Sequence, residues 1–462
     1  MKMGEDHVED VDLLVVGGGK AGKSLAMDRA KAGWSVVMVE RDKIGGTCIN
    51  VACIPTKALV GSARTLLTVR HAEVMGVDVG GPASASIDGL RHHKEAVVGG
   101  MVDAHRTLFA DSGMDFVMGV ATFVAPRMVQ IRLNDGGTRV VRGRDVLINT
   151  GTTPAAPPLD GLAEADVWNS ESIVRLQELP DSLVVLGGGY VGCEFASMFA
   201  IFGSKVTMLQ GGEQLLARED PDVAEEVADI LRAQGVDVRL GSRAKTVRRD
   251  ASGEVVITIA DGSEIRGREL LCATGRTPVT AELGLDAAGV ELTDRGFVVT
   301  DDHLRTTAEH VWAAGDVAGS PQFTHASWNN FRILKKNLTG EDASTAGRIM
   351  PYTVFITPEL GRVGMTETEA RARGHRVRVA KIPAAAIPRA KTLDMVTGSW
   401  KAVVDEGTEQ ILGVALLGHE AGEVVTAVQM AMLGGLRYQQ VRDAPITHPT
   451  MAEGLNLLLD AL

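Results

Sequence analysis

Cys48 and Cys53, in the stretch GGTCINVACIPTKAL, are the side chains of this sequence best suited to two-electron chemistry. On an undistorted helix, residues five apart have Cα atoms about 8 to 9 Å apart, beyond the roughly 7 Å that a disulfide spans. A bond between them therefore needs a distorted helix start, and Gly45, Gly46 and Thr47 before the pair and Pro55 after it supply one. A strained bond at a helix N-terminus is readily reduced and yields a low-pKa thiolate. The alternatives are two buried thiols or half a metal site. A metal site would want two more Cys or His close by, and the adjacent sequence has none, which favours the redox pair and no metal. The chain has four cysteines, and the other two, Cys193 and Cys272, sit in apolar segments and read as inert buried thiols.

A pair of thiols needs a source of electrons and elements to hold it. The apolar run Val11 to Val16 enters GGGKAG, a helical stretch, and a second strand, WSVVMVE, so Gly17, Gly19 and Gly22 take the three glycine positions of a dinucleotide-binding turn and Glu40 ends the next strand. The first glycine allows the tight turn, the second lets backbone approach a pyrophosphate, and the third lets helix pack on strand. The pattern returns in SLVVLGGGYVGCEFASMFAIFGSKVTMLQ, with Gly187, Gly189 and Gly192 at the same offsets and Gln210 where the first copy has Glu40. Two copies imply two dinucleotides. Two segments, LINTG ending at Gly151 and LLCATGRTP with Gly275 and Arg276, read as late strands closing the two nucleotide domains, and VWAAGDVAG puts Asp316 beyond an apolar strand, where a carboxylate can accept hydrogen bonds from polyol hydroxyls. Between the copies, Pro154, Pro157 and Pro158 predict a boundary or hinge without regular structure. Beyond about residue 346 the chain alternates strands and amphipathic helices without a glycine turn, and Met451, Leu455, Leu458, Leu459 and Leu462 share one helical face.

The composition bounds these readings. The sequence has 462 residues, enough for about three domains, with 45% hydrophobic and 23% charged residues. Its 53 glycines fit many tight turns. The net charge of −12 leaves no global nucleic-acid surface, and no local one stands out. The acidic start lacks a basic and an apolar region, no run of about 18 apolar residues occurs, and cysteine use is sparse, so a cytoplasmic protein without membrane contact is expected. His92 and His93 read as a solvated helix face, and Arg371 to Lys381 as a helix end at Gly374 followed by a strand.

Taken together, GGTCINVACIPTK, the two glycine turns, ATGRTP, VWAAGDV and HPTMAE resemble, in order and along essentially the whole chain, the flavoprotein disulfide reductases, which include lipoamide dehydrogenase, glutathione reductase and mercuric reductase. The resemblance implies an α/β fold: an FAD domain over 1–153 with the redox-active disulfide, an NAD(P) domain over 154–278, a return to the FAD domain over 279–345, and an α+β dimerisation domain over 346–462 of a homodimer. It implies FAD binding by Gly17, Gly19, Gly22, Glu40, Gly46, Thr47, Lys57, Gly151 and Asp316, and binding of NADH or NADPH by Gly187, Gly189, Gly192, Gln210 and Gly275. Cys53 becomes the flavin-proximal thiol and Cys48 the one that attacks substrate. Lys57 pairs with Glu194 beside the flavin. His448, with Glu453 orienting its imidazole, reaches across the dimer as acid-base catalyst. One departure is Ala52, where the family usually has glycine.

Within the family, AREDP and Pro388-Arg389-Ala390 resemble mercuric reductases, but His448 stands where those carry tyrosine, and a terminal cysteine pair is missing. QFTHASWNNFRI, with Phe323, Trp328 and Arg332, differs from lipoamide dehydrogenases, and Gly211-Gly212 replaces the arginines that glutathione reductases use for a 2′-phosphate. PYTVFITPELGRVGMTE, AAIPRAK, FASMFAIFGSKVT and THPTMAEGLN resemble the bacterial reactive-chlorine-resistance flavoproteins, regarded as hypothiocyanous acid reductases. A small oxidant in oxidative-stress defence is therefore the expected substrate. The alternatives are a dihydrolipoamide dehydrogenase, a mercuric or copper reductase, and a flavin-binding redox sensor without turnover.

Overall fold

The computed structural model describes residues 8–462, which divide into two compact units. One holds the chain through Ala58 with His92–Ala155 and Arg276–Arg348; the other holds Leu59–Arg91, Ala156–Gly275 and Ile349–Leu462.

In the first unit, the strand Val8–Val16 lies between Val36–Glu40 and Thr138–Ile148, all parallel, with Asp115–Ala125 and Val311–Ala313 at the two edges. The strand begins three residues before the apolar run read from the sequence, because Val8 to Val11 still pair with Val140 to Gly143. Its side chains alternate between two cores. Leu14 and Val16 face one with Val146, Ile148 and Val311; Leu13 and Val15 face the other with Leu25 of the helix Lys20–Lys31. Burial on both faces is why the strand reads as continuously apolar. Met128–Leu133 joins Asp115–Ala125 and Thr138–Ile148 in an antiparallel meander.

The second unit repeats this plan. Ser182–Leu186 is flanked in parallel by Lys205–Leu209 and Glu269–Cys272, with Asp237–Arg239 and Trp168–Asn169 outside them, and Ala244–Arg249, Val255–Ile259 and Glu264–Gly267 form the corresponding meander. The alternation keeps its phase: Leu183 and Val185 face the core that holds Phe195 of the helix Tyr190–Phe202, while Val184 and Leu186 face the core under the meander. The same unit carries a five-stranded antiparallel sheet, in the order Tyr352–Val354, Glu359–Gly364, Ile411–Gly418, Ser399–Asp405, Val377–Pro383. Fully buried Trp400 packs there with Ile387, Leu455, Leu458 and Leu459. The last helix is Gly454–Asp460, so Met451 joins this core from the turn before it. The fold is thus two Rossmann-like sheets and an α+β region.

The proline-rich connection corrects one expectation. Thr152–Pro154 is a strand, paired antiparallel with Arg276–Pro278. A proline is tolerated at the edge of a two-stranded ribbon, where its missing N–H faces no neighbour. His92 and His93 are exposed on the helix Ile87–Ala110, and Gly374, with φ +85°, follows the helix Glu367–Ala372.

Candidate active site

The helix that carries the cysteines is interrupted where the sequence requires it. Thr47–Asn50 forms one short turn, Val51 leaves the helical region at φ −143°, and Cys53–Arg70 starts afresh. Gly45 and Gly46 enter the turn at φ +93° and +77°, a region that favours glycine. The Asn50 side chain locks the loop by donating to the Ile44 and Gly46 carbonyls at 2.9 Å each. Both cysteines are present as thiols, and one hydroxyl serves both: Thr324 Oγ1 lies 3.1 Å from Cys48 Sγ and 3.5 Å from Cys53 Sγ. Cys53 and burial both push the Cys48 thiol up, opposed by the Thr324 hydroxyl and the charge of Lys23. In the dithiol, the nearby Cys53 sulfur therefore disfavours charge on Cys48, and the hydroxyl and the lysine favour it.

Above the cysteine loop, the first glycine turn is crowded as a dinucleotide turn must be. A Cβ on Gly17 would sit 2.5 Å from the Asn149 carbonyl, and one on Gly22 would strike the Gly17 carbonyl. Glu40 Oε2 accepts the Gly18 N–H at 2.9 Å. Gly19 caps the helix Lys20–Lys31, whose first turn has no acidic residue and whose Ala21 N–H donates to Ser327 Oγ at 3.1 Å. Asn149, which the sequence reading did not single out, ties the turn to two other segments: Oδ1 accepts from Gly22 N at 2.9 Å and Nδ2 donates to the Ala314 carbonyl at 2.6 Å. Asp316 is half-buried, with Thr152 Oγ1 donating to it at 2.9 Å, and burial raises its pKa. Arg276 donates to Thr152 through Nε at 2.7 Å and through a terminal nitrogen to the carbonyl at 2.8 Å. Gly151 and Thr47 lie in the same unit, Gly151 receiving the Val279 N–H at 3.0 Å and Thr47 exposed at the start of its helical turn. Lys57 is half-buried one turn along the Cys53–Arg70 helix.

The second turn copies the first. A Cβ on Gly187 would sit 2.5 Å from the Ala273 carbonyl, one on Gly192 would strike the Gly187 carbonyl, and Gly189 caps a helix with no acid in its first turn. Gln210 Oε1 accepts the Gly188 N–H at 3.0 Å, the bond Glu40 makes in the first copy, and Gly275 follows the strand Glu269–Cys272 at φ +133°. Buried Glu194 accepts the Phe355 N–H at 2.9 Å. In the same unit His448 is exposed, and its Nδ1 lies 2.7 Å from Glu453 Oε2. A carboxylate there fixes the tautomer and leaves Nε2 as the proton-exchanging atom. Cys193 and Cys272 are buried, and burial raises the pKa of both thiols.

Residues 11–330 match the family model of the pyridine nucleotide-disulphide oxidoreductases, and residues 350–458 match that family's dimerisation domain. The chain belongs to this family. It is an NAD(P)H-dependent flavoprotein oxidoreductase that acts on sulfur groups, with FAD as its bound cofactor. It is 39% identical over 449 residues to a probable pyridine nucleotide-disulfide oxidoreductase, RclA, of Escherichia coli, covering 96% of this chain and 97% of that one. It is 37% identical over 453 residues to a mercuric reductase of Streptomyces lividans, covering 96% and 95%. The solved structure of the E. coli RclA, described as an HOCl-induced flavoprotein disulfide reductase, superposes with a TM-score of 0.89 over 97% of this chain and 99% of that one. Among the described residues no helix is long and apolar enough to cross a membrane. The residues fit the cofactors: both turns have the close backbone packing that only glycine allows, and neither helix carries an acidic residue in its first turn to repel a pyrophosphate.

Proposed function

We propose that this protein is a homodimeric reductase of small sulfur electrophiles, hypothiocyanous acid first among them, acting in the cytoplasm in defence against reactive chlorine species. The observation that carries the reading is the pair Cys48 and Cys53, both within reach of the Thr324 hydroxyl at a broken helix start. It is supported by the likeness to a flavoprotein described as HOCl-induced. In the reaction, Cys48 thiolate attacks the sulfur of HOSCN and displaces hydroxide, which takes a proton to become water. Cys53 thiolate then attacks Cys48 sulfur, and thiocyanate leaves as the disulfide forms. FAD supplies the two electrons, drawn from NADH or NADPH, that return the disulfide to two thiols.

In this reading the first glycine turn, Glu40, Gly46, Thr47, Lys57, Gly151 and Asp316 hold FAD, and the second turn with Gln210 and Gly275 holds the nicotinamide nucleotide. Lys57 and Glu194 flank the flavin. His448, oriented by Glu453, exchanges protons with the Cys48 thiol of the opposite subunit. Residues 1–153 and 279–345 form the FAD domain, 154–278 the NAD(P) domain, and 346–462 the dimer interface.

A panel on purified holoenzyme tests the substrate: NAD(P)H oxidation with hypothiocyanite, lipoamide, glutathione disulfide, Hg(II) and Cu(II). Hypothiocyanite should give the largest kcat/KM, with Cys48→Ser inactive. A larger value with lipoamide or Hg(II) would replace this substrate assignment by that one.

A further inference from the structure

Lys23 is a lysine where the fold has no evident need of one. It lies in the helix of the first glycine turn and is 3% exposed, and a buried ammonium is costly unless it is paired or put to use. Its Nζ donates to the carbonyl of Gly45 at 2.9 Å. That carbonyl belongs to the glycine pair that turns the chain into Thr47–Asn50, three residues before Cys48. The groups that act on the ammonium are Lys20 and His105, both basic, the Glu40 carboxylate, and Cys48 itself. Glu40 is already engaged with backbone N–H groups of Gly18, Asp42 and Lys43. Burial, then Lys20, lowers the Lys23 pKa to about 8, which leaves it mostly protonated at pH 7.

We propose that Lys23 is a positioning residue for Cys48: it fixes the Gly45 carbonyl that aims the cysteine loop and brings a buried positive charge that favours the Cys48 thiolate. The inference rests on Cys48 being the attacking thiol. Two forces in the dithiol, the neighbouring Cys53 and burial, hold the proton on Cys48, and the Thr324 hydroxyl and this cation act against them. A thiol that must attack an electrophile near neutral pH needs that counterweight, since the thiolate is the nucleophile. A hydrogen bond from Thr324 supplies direction, and Lys23 supplies charge.

The test is the alkylation of Cys48 by iodoacetamide in the NADH-reduced holoenzyme, followed from pH 5.5 to 9.5, with the modified cysteine identified by peptide mass. The variants are Lys23→Gln, which keeps an N–H donor without charge, and Lys23→Arg, which keeps both. The glutamine variant should alkylate Cys48 about tenfold more slowly at pH 7, its profile displaced upward by roughly one pH unit, while the arginine variant stays within about threefold of wild type. Flavin absorbance and thermal melting are recorded for each. If one variant loses its flavin, the other compared with wild type decides: an arginine variant as slow as the displaced profile predicts for lost charge, or a glutamine variant at the wild-type rate, overturns the proposal. If both lose flavin, Lys23→Met with FAD in excess is compared with wild type, and equal rates again overturn it. Modification of Cys53 in place of Cys48 in the wild-type enzyme would instead refute the assignment of the attacking thiol.

Discussion

Gln210 holds the Gly188 N–H through Oε1 at 3.0 Å, while its Nε2 donates to the Gln214 carbonyl at 3.2 Å. The carboxamide that ends the second strand is thus engaged at both atoms, and it carries no charge toward the exposed Gly211 and Gly212 that follow it. A glutamate here would repel a 2′-phosphate, and arginines just beyond would attract it. The expected result is weak discrimination, with kcat/KM for NADH and NADPH within about thirtyfold, or about 2 kcal/mol. Gln210→Glu should move the preference toward NADH by lowering kcat/KM for NADPH. A wild-type preference above about a thousandfold would show another residue reading the 2′ position.

The thiol roles predict a spectrum. Two-electron reduction of the holoenzyme should give a long-wavelength charge-transfer band from the Cys53 thiolate to the flavin. Cys53→Ser should abolish it, and Cys48→Ser should show it without reductant. Wild-type spectra from both variants would refute the assignment.

His448 is exposed in a single chain, with its imidazole held by Glu453 at 2.7 Å. If it serves the opposite subunit's thiols, a Cys48→Ser homodimer and a His448→Ala homodimer, each inactive, should regain activity when mixed under exchange conditions, because one site of each heterodimer is intact. Mass spectrometry verifies the exchange. Heterodimers without activity would place His448 outside the partner's site.

Asp220 makes acid stability a measurable quantity. Burial disfavours its charge, but Thr368, the Glu367 N–H and Lys401 outweigh burial and lower its pKa to about 2. A carboxylate favoured in the fold stabilises fully above its unfolded value of about 3.9, and that contribution is lost as pH falls toward 2. Asp220→Asn should therefore melt at a lower temperature than wild type at pH 7 and lose less on going from pH 5 to pH 2.5. Parallel Tm-against-pH curves for the two proteins would contradict this.

Much of this arrangement was legible in the sequence for a physical reason. A glycine turn is specified locally, by backbone that cannot tolerate a Cβ, so Gly17, Gly22, Gly187 and Gly192 announce themselves by spacing. The helix break at the cysteines was legible in the same way, from Gly45, Gly46 and Pro55. Thr324 was not, because it meets Cys48 across 276 positions and a lone threonine in QFTHASWNNFRI carries no local signal. Asn149 was hidden inside LINTG, where the eye takes the strand and the glycine and passes over the amide that bonds both Gly22 and Ala314. Pro154 misled for the opposite reason: its propensity is strong, but pairing with Arg276–Pro278 at a ribbon edge asks nothing of its missing N–H.

The matching bonds Gly18 to Glu40 and Gly188 to Gln210 make the molecule its own control experiment. The two turns share one backbone plan and differ in the charge of the side chain that ties each of them. Exchanging the two residues, Glu40→Gln and Gln210→Glu in one chain, would separate what the turn requires for folding from what each nucleotide requires for recognition.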